Sequence, residues 1–146
     1  MNTNKENRYT ELRRKHQEEV NVFPMFFAFT EKSFAEGMSK LGLNPDDYSS
    51  VCSIGYGGFI RKTDMDAMKE MTARHRRELK EEIARDKTGC GFIYDMFVAE
   101  MLNHECGYVM DSSEALDALE LTLEEIEANA ALKKGYEKAL YYVMGD

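Results

Sequence analysis

Gly55-Tyr56-Gly57 separates two short apolar runs, Val51-Cys52-Ser53-Ile54 and Gly58-Phe59-Ile60-Arg61. Runs of this composition, joined by so tight a link, read as a β-hairpin. One other segment suits a strand: Met25-Phe26-Phe27-Ala28-Phe29, aromatic and apolar, placed after Pro24, which breaks the preceding helix. No strand–helix–strand repetition accompanies them, so a parallel sheet is not expected. The chain therefore reads as α+β and mostly helical, with a small antiparallel three-stranded sheet packed against several helices. The glycine turn lacks the Lys-Ser/Thr of a phosphate-binding loop and the spacing of a dinucleotide fold. Its glycines answer instead to a tight turn that needs positive φ.

The remaining segments carry helical periodicity. Residues 8–21 place Tyr9, Leu12, Val20 and Phe23 on one side. Thr30 caps a helix over 31–41 with Phe34, Met38 and Leu41 inward and Gly42 as its stop. Thr63 with Asp66 resembles a capping box and opens a long helix to Arg85. A further helix spans Phe92–Glu105 and is stopped by Gly107; Asp111 and Thr122 begin two shorter acidic helices, and Ala130–Met144 forms the last.

A chain of 146 residues makes a single globular domain, with residues 1–7 expected to be flexible. The longest unbroken apolar stretch, Val22 to Phe29, contains Pro24 and falls far short of the roughly 20 residues a membrane span needs. The N-terminus is polar throughout, so no signal peptide is expected. Cys52, Cys90 and Cys106 are odd in number and form no CxxC pair, which argues against a disulfide framework and for a reducing cytosol. Ordinary packing is the default reading of all three.

Charge is distributed unevenly. Nineteen bases face 27 acids, a net charge of −8, yet no Lys or Arg occurs between Lys87 and Lys133. Within that window Asp111, Glu114, Asp117, Glu120, Glu124 and Glu127 recur at helical spacing, with Leu116, Leu119, Leu123 and Ile126 on the other side. Such a field repels phosphate backbones, so direct nucleic-acid binding is excluded. It suits either a solvated face that keeps the chain soluble or a surface for a basic protein partner.

The three histidines lie on apolar stripes. On the Phe92–Glu105 wheel Glu100 and His104 fall one turn apart amid Ile93, Met96, Phe97 and Met101. His75 sits centrally among Met68, Met71, Leu79 and Ile83, with Glu78 at i+3, and His16 lies between Leu12 and Val20. A buried carboxylate needs compensation. A protonated imidazole would supply it, giving a buried His–Glu network. So would a divalent cation held by His75, Glu100 and His104, with Glu78, Cys106 or water as the fourth ligand, for which zinc suits the donor set. The run Asn103-His104-Glu105-Cys106 is not HExxH, and a structural metal is favoured over a catalytic one; no catalytic residue is assigned.

The segments FPMFFAFTEKSFAEGMSKLGL, SIGYGGFIRKTD, RHRRELKEEIARDKTG, FIYDMFVAEMLNHEC and LDALELT resemble a small protein family carried by phages and other mobile elements of Firmicutes, without an assigned biochemical role. The likeness runs from Leu12 to the C-terminus. Asp64, His75, Asp95, Glu100 and His104 match the family pattern; Tyr56, Cys90, Met101-Leu102 and Cys106 depart from it. The resemblance implies an inhibitor of host defence of the anti-CRISPR kind, directed at a type II, Cas9-type nuclease in the host bacterial cytosol. Such nucleases hold nucleic acid in basic channels that an acidic surface could cover. Two other classes stay open: a metal-dependent hydrolase using His75, Glu100 and His104, and a generic mobile-element protein-interaction domain. The oligomeric state is open as well.

Overall fold

The structure, a computed structural model, describes residues 7–145. The expectation of flexibility at residues 1–7 falls, Asn7 apart, outside the described residues. The fold is mostly helical α+β, with one three-stranded antiparallel sheet and eight α-helices among the described residues. None of these helices is long and apolar enough to cross a membrane. Two compact units divide the chain: Gln17–Arg76, and the residues up to His16 together with those from Arg77 on. The division falls inside helices α1 (Arg8–Val22) and α3 (Met65–Arg85).

The Gln17–Arg76 unit holds the sheet. Its strands are β1 (Phe26–Phe27), β2 (Val51–Gly55) and β3 (Gly58–Arg61), in the order β1-β3-β2. Phe26 pairs with Phe59 across β1 and β3, and Ser53 pairs with Phe59 across β2 and β3. The hairpin turn places Tyr56 at φ 54° and Gly57 at φ 80°. Two successive positive-φ residues match the twist of the flanking strands, which is why glycine dominates this link. Helix α2 (Glu31–Lys40) begins at Thr30, whose hydroxyl accepts from the Ser33 N–H while the Ser33 hydroxyl takes the Thr30 N–H. The core here is Phe26, Met38 and Val51, with Phe34, Leu41 and Phe59 packed against them. Before α3 the expected Thr63–Asp66 box is replaced by a 3₁₀ turn, Lys62–Asp64, pinned by Arg61 donating to Asp64 at 2.8 Å.

The second unit is all helix. Its centre is α4 (Phe92–Asn103), which buries Phe92, Ile93, Met96, Phe97, Glu100 and Met101. Helix α4 packs along α8 (Ala130–Met144) and against α6 (Ser113–Leu119); α5 (Cys106–Val109) and α7 (Leu123–Glu127) complete the layer. Helix α4 stops two residues short of the sequence expectation. Glu105, at φ 55°, breaks it, and Gly107 lies within the next helix rather than ending this one. Thr122 and Glu125 form the expected reciprocal cap of α7. The apolar floor of this unit joins α4 to Ala115, Leu116, Leu119, Ile126, Leu132 and Ala139.

Candidate functional site

Glu100 is the one buried charged residue among the described residues, at 2% exposure. Its neighbours on α4 are apolar, so its charge must be met from elsewhere. Helix α1 supplies the partners. Tyr9 donates its phenolic hydrogen and Arg13 a guanidinium N–H to the same carboxylate oxygen. Tyr9 and Arg13 are four residues apart and therefore share a helix face. Burial pushes the Tyr9 phenol far above the usual tyrosine range, and its hydrogen bond to the Glu100 carboxylate adds to the shift. Burial works against the Arg13 charge, but the adjacent Glu100 outweighs it and holds the guanidinium charged. The other oxygen of Glu100 lies 3.5 Å from His104 Nε2, and His104 Nδ1 lies 3.7 Å from Glu114 on the surface. A polar line thus runs from the core to the acidic face.

Of the expected ligands, the structure brings Glu100 and His104 together. Glu78 is paired with His16, at 2.7 Å. His75 faces Glu19, at 3.0 Å, and Arg74 donates to the same carboxylate. Those bonds, from Arg74 first and then His75, draw the Glu19 carboxyl down to about 2. Among the described residues no group of three or more His, Cys, Asp or Glu side chains is arranged to hold a metal ion. Cys106 is buried, and burial raises its thiol above the usual range. Each histidine lies half-buried beside a glutamate: His16 beside Glu78, His75 beside Glu19 and His104 beside Glu100. What sequence reasoning missed was the identity of Glu100's partners. The signal was available in Tyr9 and Arg13 at i, i+4 on a helix that had to pack somewhere.

The acidic helices carry their charge outward. Asp111, Glu114, Asp117, Glu120, Glu124 and Glu127 are all exposed, while Ala115, Leu116, Leu119 and Ile126 are buried beneath them. Leu123, expected inward, is 56% exposed, because α7 is only five residues long and Ile126 alone anchors it. Asp111 accepts from the Ser113 N–H and hydroxyl, which lowers its carboxyl and fixes the entry to α6. Lys133 approaches Glu127 at 3.3 Å, a surface pair worth little. Tyr108, Val109 and Met110, immediately before this stretch, are exposed as well. The surface therefore offers apolar anchors beside carboxylates, the mixture that protein interfaces use.

Asp86 organises the turn before α4 and was not singled out by motif. One oxygen accepts from Thr88 Oγ1 and the Gly89 N–H, the other from the N–H groups of Gly91 and Ile93. Burial alone would raise this carboxyl, but the backbone bonds outweigh it and hold it below the ordinary range. Gly91, at the N-cap of α4, has no side chain to offer, so Asp86 caps the helix from five residues away.

No curated protein and no solved structure matches the chain. A family model does match it, over residues 8–141, nearly its full length. The chain belongs to that family, described as a family of unknown function (DUF7659).

Proposed function

We propose that the chain is a binding protein whose acidic α6–α7 face seats on a basic surface of a protein partner. The observation that carries this reading is the exposure of all six acids, Asp111, Glu114, Asp117, Glu120, Glu124 and Glu127, over a buried apolar floor. With no Lys or Arg between Lys87 and Lys133, the sequence around them adds no positive charge. Carboxylates so displayed steer a basic partner, and the exposed Tyr108 and Met110 beside them supply apolar area that a partner would desolvate. The resemblance to phage-borne proteins extends the proposal to its target: a Cas9-type nuclease in the host cytosol, whose basic nucleic-acid channel the face would cover. Inhibition then needs no chemistry, only occupancy.

The test is a guide-dependent cleavage assay with type II nucleases and purified protein. Dose-dependent loss of cleavage, relieved when the nuclease is loaded with guide and target first, supports the proposal. Full cleavage at a large excess of protein removes the nuclease as target. A zinc ion on His75, Glu78, Glu100 and His104 is a separate matter, since it would have to take Glu100 from Arg13 and His75 from Glu19. Elemental analysis tests it: a stoichiometric ion supports that ligand set, and its absence removes both the set and the hydrolase built on it.

A further inference from the structure

The Gln17–Arg76 unit contains an open cleft of about 760 Å³. Its lining comes from the segment after β1, the first turns of α2, the loop around Asp46, and strands β2 and β3. Four aromatic rings line it: Phe29, Phe34, Tyr48 and Phe59. Phe34 stacks on Tyr48 with centroids 5.6 Å apart, and Phe59 meets Phe34 edge to face at 5.2 Å. The Tyr48 and Phe29 rings are largely exposed, so they present π surface to an incoming group. The charged side chains at the cleft are the carboxylates of Glu31 and Asp46; no Lys or Arg lines it among the described residues. Neither carboxylate has a side-chain hydrogen bond or an ion pair among the described residues.

Aromatic faces with carboxylates and no base select a cation. A planar, weakly hydrated guanidinium satisfies both parts at once, stacking on a ring while donating in a fork to a carboxylate. Val51, Cys52 and Ser53 also line the cleft, and they belong to β2, an outer strand with β3 on one side and no strand pairing with the other among the described residues. An edge strand beside a side-chain pocket is the arrangement by which extended peptides are bound, main chain to main chain with one side chain in the pocket. We infer that this cleft takes an arginine side chain from an extended segment of a protein partner. The inference stands on the geometry of this unit and does not require the acidic α6–α7 face.

The probes are N-acetyl-arginine amide and an arginine-centred hexapeptide of charge +1, titrated into the full chain and followed by NMR. Shifts confined to Phe34, Tyr48, Ser53 and Phe59, with the hexapeptide at least ten-fold tighter than the single residue, are expected. The same peptide with citrulline in place of arginine should bind at least ten-fold more weakly, and so should E31Q/D46N with the original peptide. Glu31 and Asp46 are exposed, so the amides leave the core untouched; Tyr48→Leu tests the stacking face separately and should weaken binding similarly. Equal affinity for the citrulline peptide, affinity unchanged in both variants, or shifts centred on α6–α7 would each overturn the assignment. An advantage for the single residue over the hexapeptide would assign the cleft to a small guanidinium ligand and contradict the peptide mode.

Discussion

Arg13 donates to the carboxylate of Glu100 across 87 positions of sequence, so the one acid buried in α4 is neutralised from α1. Removing the guanidinium strands a negative charge in an apolar layer. Arg13→Met is expected to cost about 3 kcal/mol, the low end for breaking a buried pair, because Arg13 itself is half exposed. Adding Glu100→Gln to Arg13→Met should recover about 1 kcal/mol or more, since the amide is neutral and still accepts from Tyr9. Urea denaturation of the double-mutant cycle measures this; additive losses would contradict the pairing.

Tyr9 ties alkaline stability to the same network. Its phenol titrates far above the ordinary range when folded, whereas unfolded tyrosine ionises near pH 10. Below that pH both states hold the proton and stability is unaffected. Above it the unfolded state releases the proton first, so stability falls with rising pH by up to about 1.4 kcal/mol per unit. Tyr9→Phe should remove that share of the slope between pH 10 and 11, read by thermal or urea unfolding at each pH.

Asp86 acts at the other end of the scale. Its carboxyl is depressed in the folded chain by the backbone bonds it accepts. The contribution is complete above the unfolded value, about 3.9, and is lost as pH falls through the lower folded value. Asp86→Ala should cost about 1–3 kcal/mol at pH 7 and less at pH 3. A loss equal at both pH values would show that the charge is not what caps α4.

Gly135 offers a test of packing whose sign is opposite to helix propensity. A Cβ there would sit 2.5 Å from the Gly89 carbonyl oxygen and 2.5 Å from a methyl of Ile93. Gly→Ala inside a helix ordinarily gains up to about 1 kcal/mol. Here a backbone oxygen cannot give way, and Gly135→Ala is expected to destabilise by about 1–3 kcal/mol. A raised melting temperature would contradict the close approach of α8 to the Asp86 turn.

The hairpin was legible because Gly55-Tyr56-Gly57 states its turn chemistry locally, and the caps at Thr30 and Thr122 because an N-cap hydroxyl accepts from an N–H only three residues on. The stop of α4 was not legible. Glu105 takes a left-handed φ that glycine favours, so the neighbouring Gly107 drew the boundary past it. At Glu100 the helical wheel located a buried acid correctly and implied that something must compensate it. The compensator lies 87 positions away, and periodicity within one helix carries no information about which helix packs on it. Leu123 shows the same limit: in a five-residue helix a wheel has too few points to fix the inward face.

The acidic face is tested most directly by reversing Glu114, Asp117 and Glu120 to lysine together and titrating the variant against wild type in the nuclease cleavage assay. All three are exposed, so the far-UV circular dichroism and melting profile should stay close to wild type. The proposal predicts that wild type suppresses cleavage and the folded variant loses at least a hundred-fold in potency. A folded variant that inhibits as well as wild type would show that these carboxylates do not meet the partner.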